Sequence, residues 1–467
     1  MTGALRTSFS PIPMSLSGKL LLGTTHLLRH SRTLKILREI RPEPYKPPAE
    51  ILRRQFLRLS GLLAVGEAHI PYYRELFKSL GIQARDIRSL SDFASLPILT
   101  KDIIRERRDD LVREDVPRKK LKAVYSGGST GVPLKFYRTR FDLDAGEAGT
   151  FRGWLQSGWE PGDMVAHFWG DRELYKMSAW ELEIRQRLRR MYQFDAFHSS
   201  PEQMDQWFET LQRIRPKILY GYSSLISRFA AHVEGTGRKM SPVLGVFCTA
   251  EKLYPNQQEV ISRVFRCPVY DMYGSSEVNN VACTCSRGRM HINVDQVVLE
   301  TDDSTTLPGQ PPALIVTSLW NDVMPLIRYR IEDCGQLLDG ACDCGSHFPL
   351  MELNVSRIFD HFIMPDGRFI HGMLFIRFMD VAQGIATFQF HQVAPELITL
   401  WIVPGPSENS ARERSIQKVV DQVTALDPQG RIKVDVRIAD SIPLSRNGKH
   451  RFIRSDVQSG KPVPQER

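Results

Sequence analysis

At 467 residues, 42% hydrophobic and 25% charged, the chain has the composition of a globular protein and the length for roughly two to four domains. Apolar runs such as Leu20-Leu21-Leu22 fall far short of a membrane span, so no transmembrane helix is expected. A formal charge of +9 favours anionic partners, but no nucleic-acid-binding motif accompanies it, and a nucleotide or an acidic lipid fits better than nucleic acid.

The first 48 residues form a basic segment with no acidic residue before Glu39, and Leu27, Leu28, Leu34 and Leu37 lie among its arginines and lysines. A basic helix docked on the body of the protein is the expectation, with peripheral membrane contact or a transit segment as the alternative. A secretory signal does not fit, because the apolar run is too short. The expected location is cytoplasmic, with membrane association left open.

From Pro48 to Gly81 apolar residues recur at helical intervals, and Thr100 is a candidate N-cap for a short helix after Leu96-Pro97-Ile98-Leu99. Then comes Tyr125-Ser126-Gly127-Gly128-Ser129-Thr130-Gly131-Val132-Pro133. Glycines let successive backbone N–H groups converge, and the hydroxyls of Ser126, Ser129 and Thr130 add donors, so this loop could wrap a phosphate chain. A solvated linker would look the same, and the loop lacks the spacing of a Walker A or dinucleotide motif.

Beyond it, strand candidates at 165–170, 217–222, 243–249 and 269–273 alternate with helices at 201–215 and 255–265, the pattern of a layered α/β domain. Strands at 297–299 and 314–318 suggest a β-rich piece. After about residue 357 a hairpin signal at Pro365-Asp366-Gly367, further strands and an amphipathic helix carrying Ile416, Val419, Val420 and Val423 read as a separate small α+β domain. The seven cysteines are odd in number, and four of them sit in Cys283-x-Cys285 and Cys342-x-Cys344. Reduced thiols, some of them metal-bound, fit better than a disulfide framework. With His291 these give five soft ligands in two clusters, enough for one tetrahedral zinc site.

Four further stretches matter: Thr249-Ala250-Glu251, Tyr273-Gly274-Ser275-Ser276-Glu277, Arg328-Tyr329-Arg330-Ile331-Glu332-Asp333 and Pro443-Leu444-Ser445-Arg446-Asn447-Gly448-Lys449. In this order, after the glycine-rich loop, they resemble the adenylate-forming superfamily of acyl-CoA synthetases. Within it the chain is most similar to the phenylacetate-CoA ligase family and its CapK-like, capsular-polysaccharide branch.

The resemblance implies a mixed α/β fold: a large layered adenylation domain at 49–356, with a β-rich, zinc-bound insert at about 280–350, and a small α+β lid at 357–467. It implies ATP, Mg²⁺ and CoA as cofactors and a small-molecule carboxylic acid as substrate. ATP phosphates would sit in Ser126, Gly127, Gly128, Ser129, Thr130 and Gly131. Glu277 would supply a hard oxygen to Mg²⁺, and Tyr273 a face for adenine. Asp333 would accept from both ribose hydroxyls. Ala250, Glu251, Gly274, Ser275 and Ser276 would line the nucleotide pocket, and Arg357 would mark the domain junction. Lys449 would neutralise charge as the acyl-phosphate bond forms. For the metal, the resemblance favours Cys285, His291, Cys342 and Cys344, with Cys283 in reserve. The expected reaction is acyl-adenylate formation followed by transfer to a thiol. Transfer to a sugar or amine, and a non-catalytic nucleotide-binding scaffold, are the alternatives. Trp154, Trp159, Trp169, Tyr220 and Tyr222 fall where the family builds its acyl pocket, although core packing explains them equally well.

Overall fold

The computed structural model describes residues 18, 22, 23, 26, 30–125, 134–170, 177–196, 199–250, 253, 255–302, 312–355, 361–379, 382–404, 409–442 and 453–457. Helix α1 (Thr33–Ile40) buries Ile36, Leu37 and Ile40. Its start is pinned to the body where Thr33 Oγ1 donates to Glu147 (2.7 Å) and the Arg32 N–H to Asp144 (2.7 Å). The C-terminal end of the basic segment is therefore docked, as expected.

The helical stretch from Pro48 divides into α2 (Pro48–His69) and α3 (Pro71–Leu80). Pro71 explains the break: its ring disfavours helical backbone at the preceding residue, and Ile70 is extended at φ −120°, ψ 111°. Two short helices, α4 (Leu90–Ala94) and α5 (Lys101–Glu106), follow. Thr100 caps α5 as expected, its hydroxyl accepting from the Ile103 N–H at 3.4 Å.

Strands β1 (Lys122–Tyr125) and β2 (Lys135–Arg138) form an antiparallel pair in which Tyr125 faces Lys135. The glycine-rich loop between them lies outside the described residues, but both of its ends are fixed by this pairing. Next come α6 (Arg140–Leu155), β3 (Val165–Trp169), α7 (Ala179–Arg189), β4 (Met191–Asp195), α8 (Pro201–Ile214), β5 (Ile218–Tyr222), α9 (Ser223–Gly235), β6 (Gly245–Thr249), α10 (Pro255–Phe265) and β7 (Val269–Ser275). Strands β3 to β7 pair in parallel, as strands joined through helices must.

The chain then turns antiparallel through β8 (Asn279–Thr284), β9 (Met290–Ile292), β10 (Val297–Asp302), β11 (Ala313–Ser318), β12 (Tyr329–Leu338) and β13 (Leu350–Val355). All eleven strands from β3 to β13 form one sheet, in the order β10-β11-β12-β13-β9-β8-β7-β6-β5-β3-β4. The β-rich region at about 280–350 is thus continuous with the main sheet. The sheet is buried on both sides. Leu59, Tyr73, Phe136, Trp154 and Tyr270 belong to one core, while Phe168, Trp207, Phe229 and Val246 belong to another.

The last part has its own sheet and core. Strands β14 (His361–Ile363) and β15 (Phe369–His371) flank the Pro365-Asp366-Gly367 turn, with Gly367 at φ +79°. Helix α11 (Gly372–Met379), β16 (Ile385–Ala394), β17 (Leu397–Pro404), α12 (Asn409–Thr424), β18 (Lys433–Ile438) and β19 (Ile453–Ser455) follow, and the four strands order as β18-β17-β16-β19. Phe362, Phe375, Phe390, Leu400, Val419 and Val423 fill the space between α12 and this sheet. The junction expected at residue 357 lies outside the described residues.

Candidate functional site

The motif Tyr273-Gly274-Ser275 closes β7, and Ser276, Glu277 and Val278 carry the chain into β8. Gly274 is required by close approach: a Cβ there would lie 2.2 Å from the Asn279 carbonyl oxygen. Tyr273 is buried, and its hydroxyl donates to Asp333 Oδ2 at 2.9 Å. Three strands separate β7 from β12 in the sheet order, so flat pleating would hold these residues about 19 Å apart. The sheet must therefore bend on itself, and the hydrogen bond closes the bend across two of the sequence-predicted site residues.

Glu277 is 2% exposed. Its N–H donates to Ser275 Oγ (3.2 Å), while Oε1 meets no hydrogen-bond donor among the described residues. An unsatisfied buried carboxylate oxygen costs several kcal/mol unless a cation or donor completes it, so the position fits a hard divalent ion. Ala250, at the end of β6, holds φ +67°, a left-handed backbone that a non-glycine residue rarely adopts. Strain of this kind gathers where structure around it imposes a function. Beside it Thr249 donates to the Met272 carbonyl (2.8 Å), tying the β6 end to the strand that carries Tyr273.

Arg138 is not among the residues expected at the site, yet it holds this wall together. Leaving β2, it donates through Nη1 to the Ser276 carbonyl (3.2 Å) and to Asn279 Oδ1 (2.5 Å), and through Nη2 to Asp142 Oδ1 (2.7 Å). Its Nε donates to the other Asp142 oxygen. Arg138 and Asp142 are both buried, so the strand leaving the glycine-rich loop is locked to the turn that presents Glu277. The only signal in the sequence was an arginine at the exit of that loop. Lys135, meanwhile, lies with its ammonium over the Tyr137 ring at 5.4 Å.

Ser126, Gly127, Gly128, Ser129, Thr130, Gly131, Glu251, Arg357 and Lys449 lie outside the described residues. The expectations for them rest on the sequence alone.

The cysteine cluster assembles as the sequence proposed. Ligand atoms of Cys285, His291, Cys342 and Cys344 all lie within 4.8 Å of one another. Cys285 Sγ is 3.6 Å from Cys342 Sγ, and Cys344 Sγ is 3.3 Å from His291 Nε2. Two tight turns shape it. Backbone N–H groups of Arg287 and Ser346 each donate to a cysteine sulfur at 3.4 Å, and Gly288 and Gly345 take φ +71° and +84°. His291 Nδ1 sits 2.8 Å from the Phe348 carbonyl, which fixes the ring and directs Nε2 at the thiols. Burial pushes the imidazole below its ordinary pKa, so it stays neutral and able to ligate. The donor set suits zinc with closed coordination. Cys283 is not part of it: its sulfur lies 3.6 Å from Gln156 Nε2, and burial pushes the thiol up to about 12.

The aromatic residues divide. Trp154 and Trp159 are 1% and 2% exposed and pack on Phe151. Trp169, at the end of β3, and Tyr220, midway along β5, are half-buried, and the Tyr222 ring lies 4.3 Å from that of Trp169.

No family profile matches the chain. Among curated proteins it is 25% identical over 339 residues to Protein CapK of Staphylococcus aureus, covering 70% of this chain and 71% of that protein. It is 25% identical over 319 residues to the phenylacetate-coenzyme A ligase of Escherichia coli (strain K12), covering 62% and 68%. The corresponding ligase of Thermus thermophilus is 26% identical over 324 residues, covering 64% and 70%. Among solved structures, 2-hydroxyisobutyryl-CoA ligase with 2-HIB-AMP and CoA in the thioesterification state superposes with a TM-score of 0.61 at 21% identity, over 89% of this chain and 92% of that one. The same ligase in the postadenylation state gives 0.57.

Proposed function

We propose that this chain, phenylacetate-CoA ligase-like in sequence and adenylate-forming in fold, is an AMP-forming acid–thiol ligase. A substrate carboxylate oxygen attacks the α-phosphorus of ATP, the bond to pyrophosphate breaks, and an acyl-adenylate forms. The thiol of CoA then attacks the acyl carbon, AMP leaves and a thioester remains.

Little of this asks for covalent chemistry from the protein; it asks for positioning and charge neutralisation. Asp333, held by Tyr273, takes the ribose hydroxyls, and the Tyr273 segment lines the adenine. Mg²⁺, when bound on Glu277, offsets phosphate charge. Residues 126–131 hold the phosphates that leave, and Lys449 meets the developing negative charge from the small domain. That domain, from about residue 357, acts as a lid. Cys285, His291, Cys342 and Cys344 hold a structural zinc that ties the β8–β9 hairpin to the segment before β13.

The observation that carries the reading is Glu277: a buried carboxylate with an unmet oxygen, four residues beyond the tyrosine that grips Asp333. Acid-dependent exchange of labelled pyrophosphate into ATP tests it, and absence of exchange with every acid of a broad panel overturns it. The likeness to CapK supports a second reading of the acceptor, in which a sugar or amine takes the acyl group in polysaccharide biosynthesis. Supplying CoA, sugars and amines in turn after adenylation, and identifying the acylated product, separates the two.

A further inference from the structure

Helix α7 (Ala179–Arg189) turns its apolar residues outward. Trp180, Ile184 and Leu188 are 66%, 48% and 41% exposed, while the residue that the helix buries is polar, Gln186. Gln186 Oε1 accepts from the Gln193 N–H at 2.6 Å. Strand β4, which carries Gln193, ends the eleven-stranded sheet, so α7 and not a further strand covers that end. An amphipathic helix on a globular domain ordinarily lays such a stripe on the core; here positions i, i+4 and i+8 form one apolar face in water.

The charges beside the stripe indicate what covers it. Each residue turns the helix by about 100°, so Glu181 and Arg185 border the stripe on one side and Glu183 and Arg187 on the other. In both pairs the acid lies one turn nearer the N-terminus. Arg187 already donates to Glu183 at 2.7 Å, and Glu181 closes a capping box with Ser178. A second copy of α7 laid antiparallel about a two-fold axis at Ile184 sets Ile184 on Ile184 and Trp180 beside the partner's Leu188. It also sets Glu181 beside the partner's Arg185 and Glu183 beside the partner's Arg187, each pair about 3 Å apart along the helix axis. A parallel copy would instead set Glu181 against Glu183 and Arg185 against Arg187, like charges on both sides. An anionic lipid surface would take the apolar stripe but would be repelled by the two glutamates at its border.

We propose that α7 is the contact helix of a two-fold dimer of this chain, packed antiparallel on its own copy through Trp180, Ile184 and Leu188, with Glu181–Arg185 and Glu183–Arg187 pairs across the interface. The proposal is independent of the adenylating reading. One helix pair is a contact at the small end of specific interfaces, so the dimer dissociates with a Kd of about 1–100 μM.

Sedimentation velocity of the full chain at rising concentration tests this. The wild type should pass from monomer to dimer across that range. Ile184→Lys places two ammonium groups at the axis and should weaken association by about 30-fold or more. Arg187→Glu and Glu183→Arg each put like charges across the interface and should stay monomeric alone, whereas an equal mixture of the two should dimerise, because in the mixed dimer every such pair is again opposite in sign. Circular dichroism checks that each variant is folded. If Glu183→Arg is not, Glu181→Arg mixed with Arg185→Glu makes the same test on the other side of the stripe. A wild type that stays monomeric, a dimer indifferent to Ile184→Lys, or a mixture no more associated than its components overturns the proposal. So does a monomeric wild type that floats with phosphatidylserine-containing vesicles and loses this in Ile184→Lys, which would assign the stripe to a membrane.

Discussion

Glu277 is a buried carboxylate with an unmet oxygen and His167 a half-buried imidazole in an aromatic stack, and each yields a separate prediction. Glu277→Gln keeps the shape and removes the charge, so exchange should fall by about 10²–10³-fold and the Mg²⁺ needed for half-maximal rate should rise. An unchanged Mg²⁺ dependence would remove the metal role. His167 bears on stability. It stays neutral in the folded chain down to about 3, while an unfolded histidine protonates near 6.5. Its contribution is thus complete above pH 6.5 and lost as pH falls towards 3, by about 2 kcal/mol at pH 5. Urea unfolding at pH 7 and pH 5 should show this loss in the wild type and not in His167→Phe; an identical loss in both would contradict it. Residues whose role depends on chemical type were legible in the sequence. Spacing and resemblance single out Cys285, His291, Cys342 and Cys344, and their ligand atoms converge. Arg138 was not legible, because its partners Ser276 and Asn279 lie about 140 positions away and only the fold brings them near.

At the scale of elements, the two devices that shape the site are a buried ion pair and a pair of thiol-bearing turns. Arg138 joins β2, the first turns of α6 and the β7–β8 turn. Arg138→Met would leave Asp142 buried without its counter-charge, at a cost of about 3–5 kcal/mol in denaturant unfolding. A loss below about 1 kcal/mol would show that the pair holds little. Protein purified without chelator should carry about one zinc per chain, lost in Cys285→Ser and kept in Cys283→Ser. No stoichiometric zinc in the wild type would remove that claim. Individual elements were readable where the signal was local: Pro255–Phe265 is a helix from its proline to its last aromatic residue, and the Pro365-Asp366-Gly367 hairpin forms between β14 and β15. The sheet was not. The strands expected at 297–299 and 314–318 read only as a β-rich piece, because their short-range pattern says nothing of β12 and β13, which join them to the rest.

For the whole molecule, one bent eleven-stranded sheet with cores on both faces presents Tyr273, Glu277 and Asp333 together, and a second sheet with its own core follows it. No described helix is long and apolar enough to cross a membrane. A rigid wall with a separate small domain suits a two-step reaction, in which one set of groups must bind the adenylate while the groups that approach it change. The central claim concerns which bonds break, and oxygen labelling reads that directly. The acid, enriched with oxygen-18 in its carboxylate, is turned over with ATP and CoA, and the products are weighed by mass spectrometry. Attack by the carboxylate at the α-phosphorus predicts one labelled oxygen in each AMP released. Label in inorganic phosphate with ADP as product, or AMP free of label, would contradict the account.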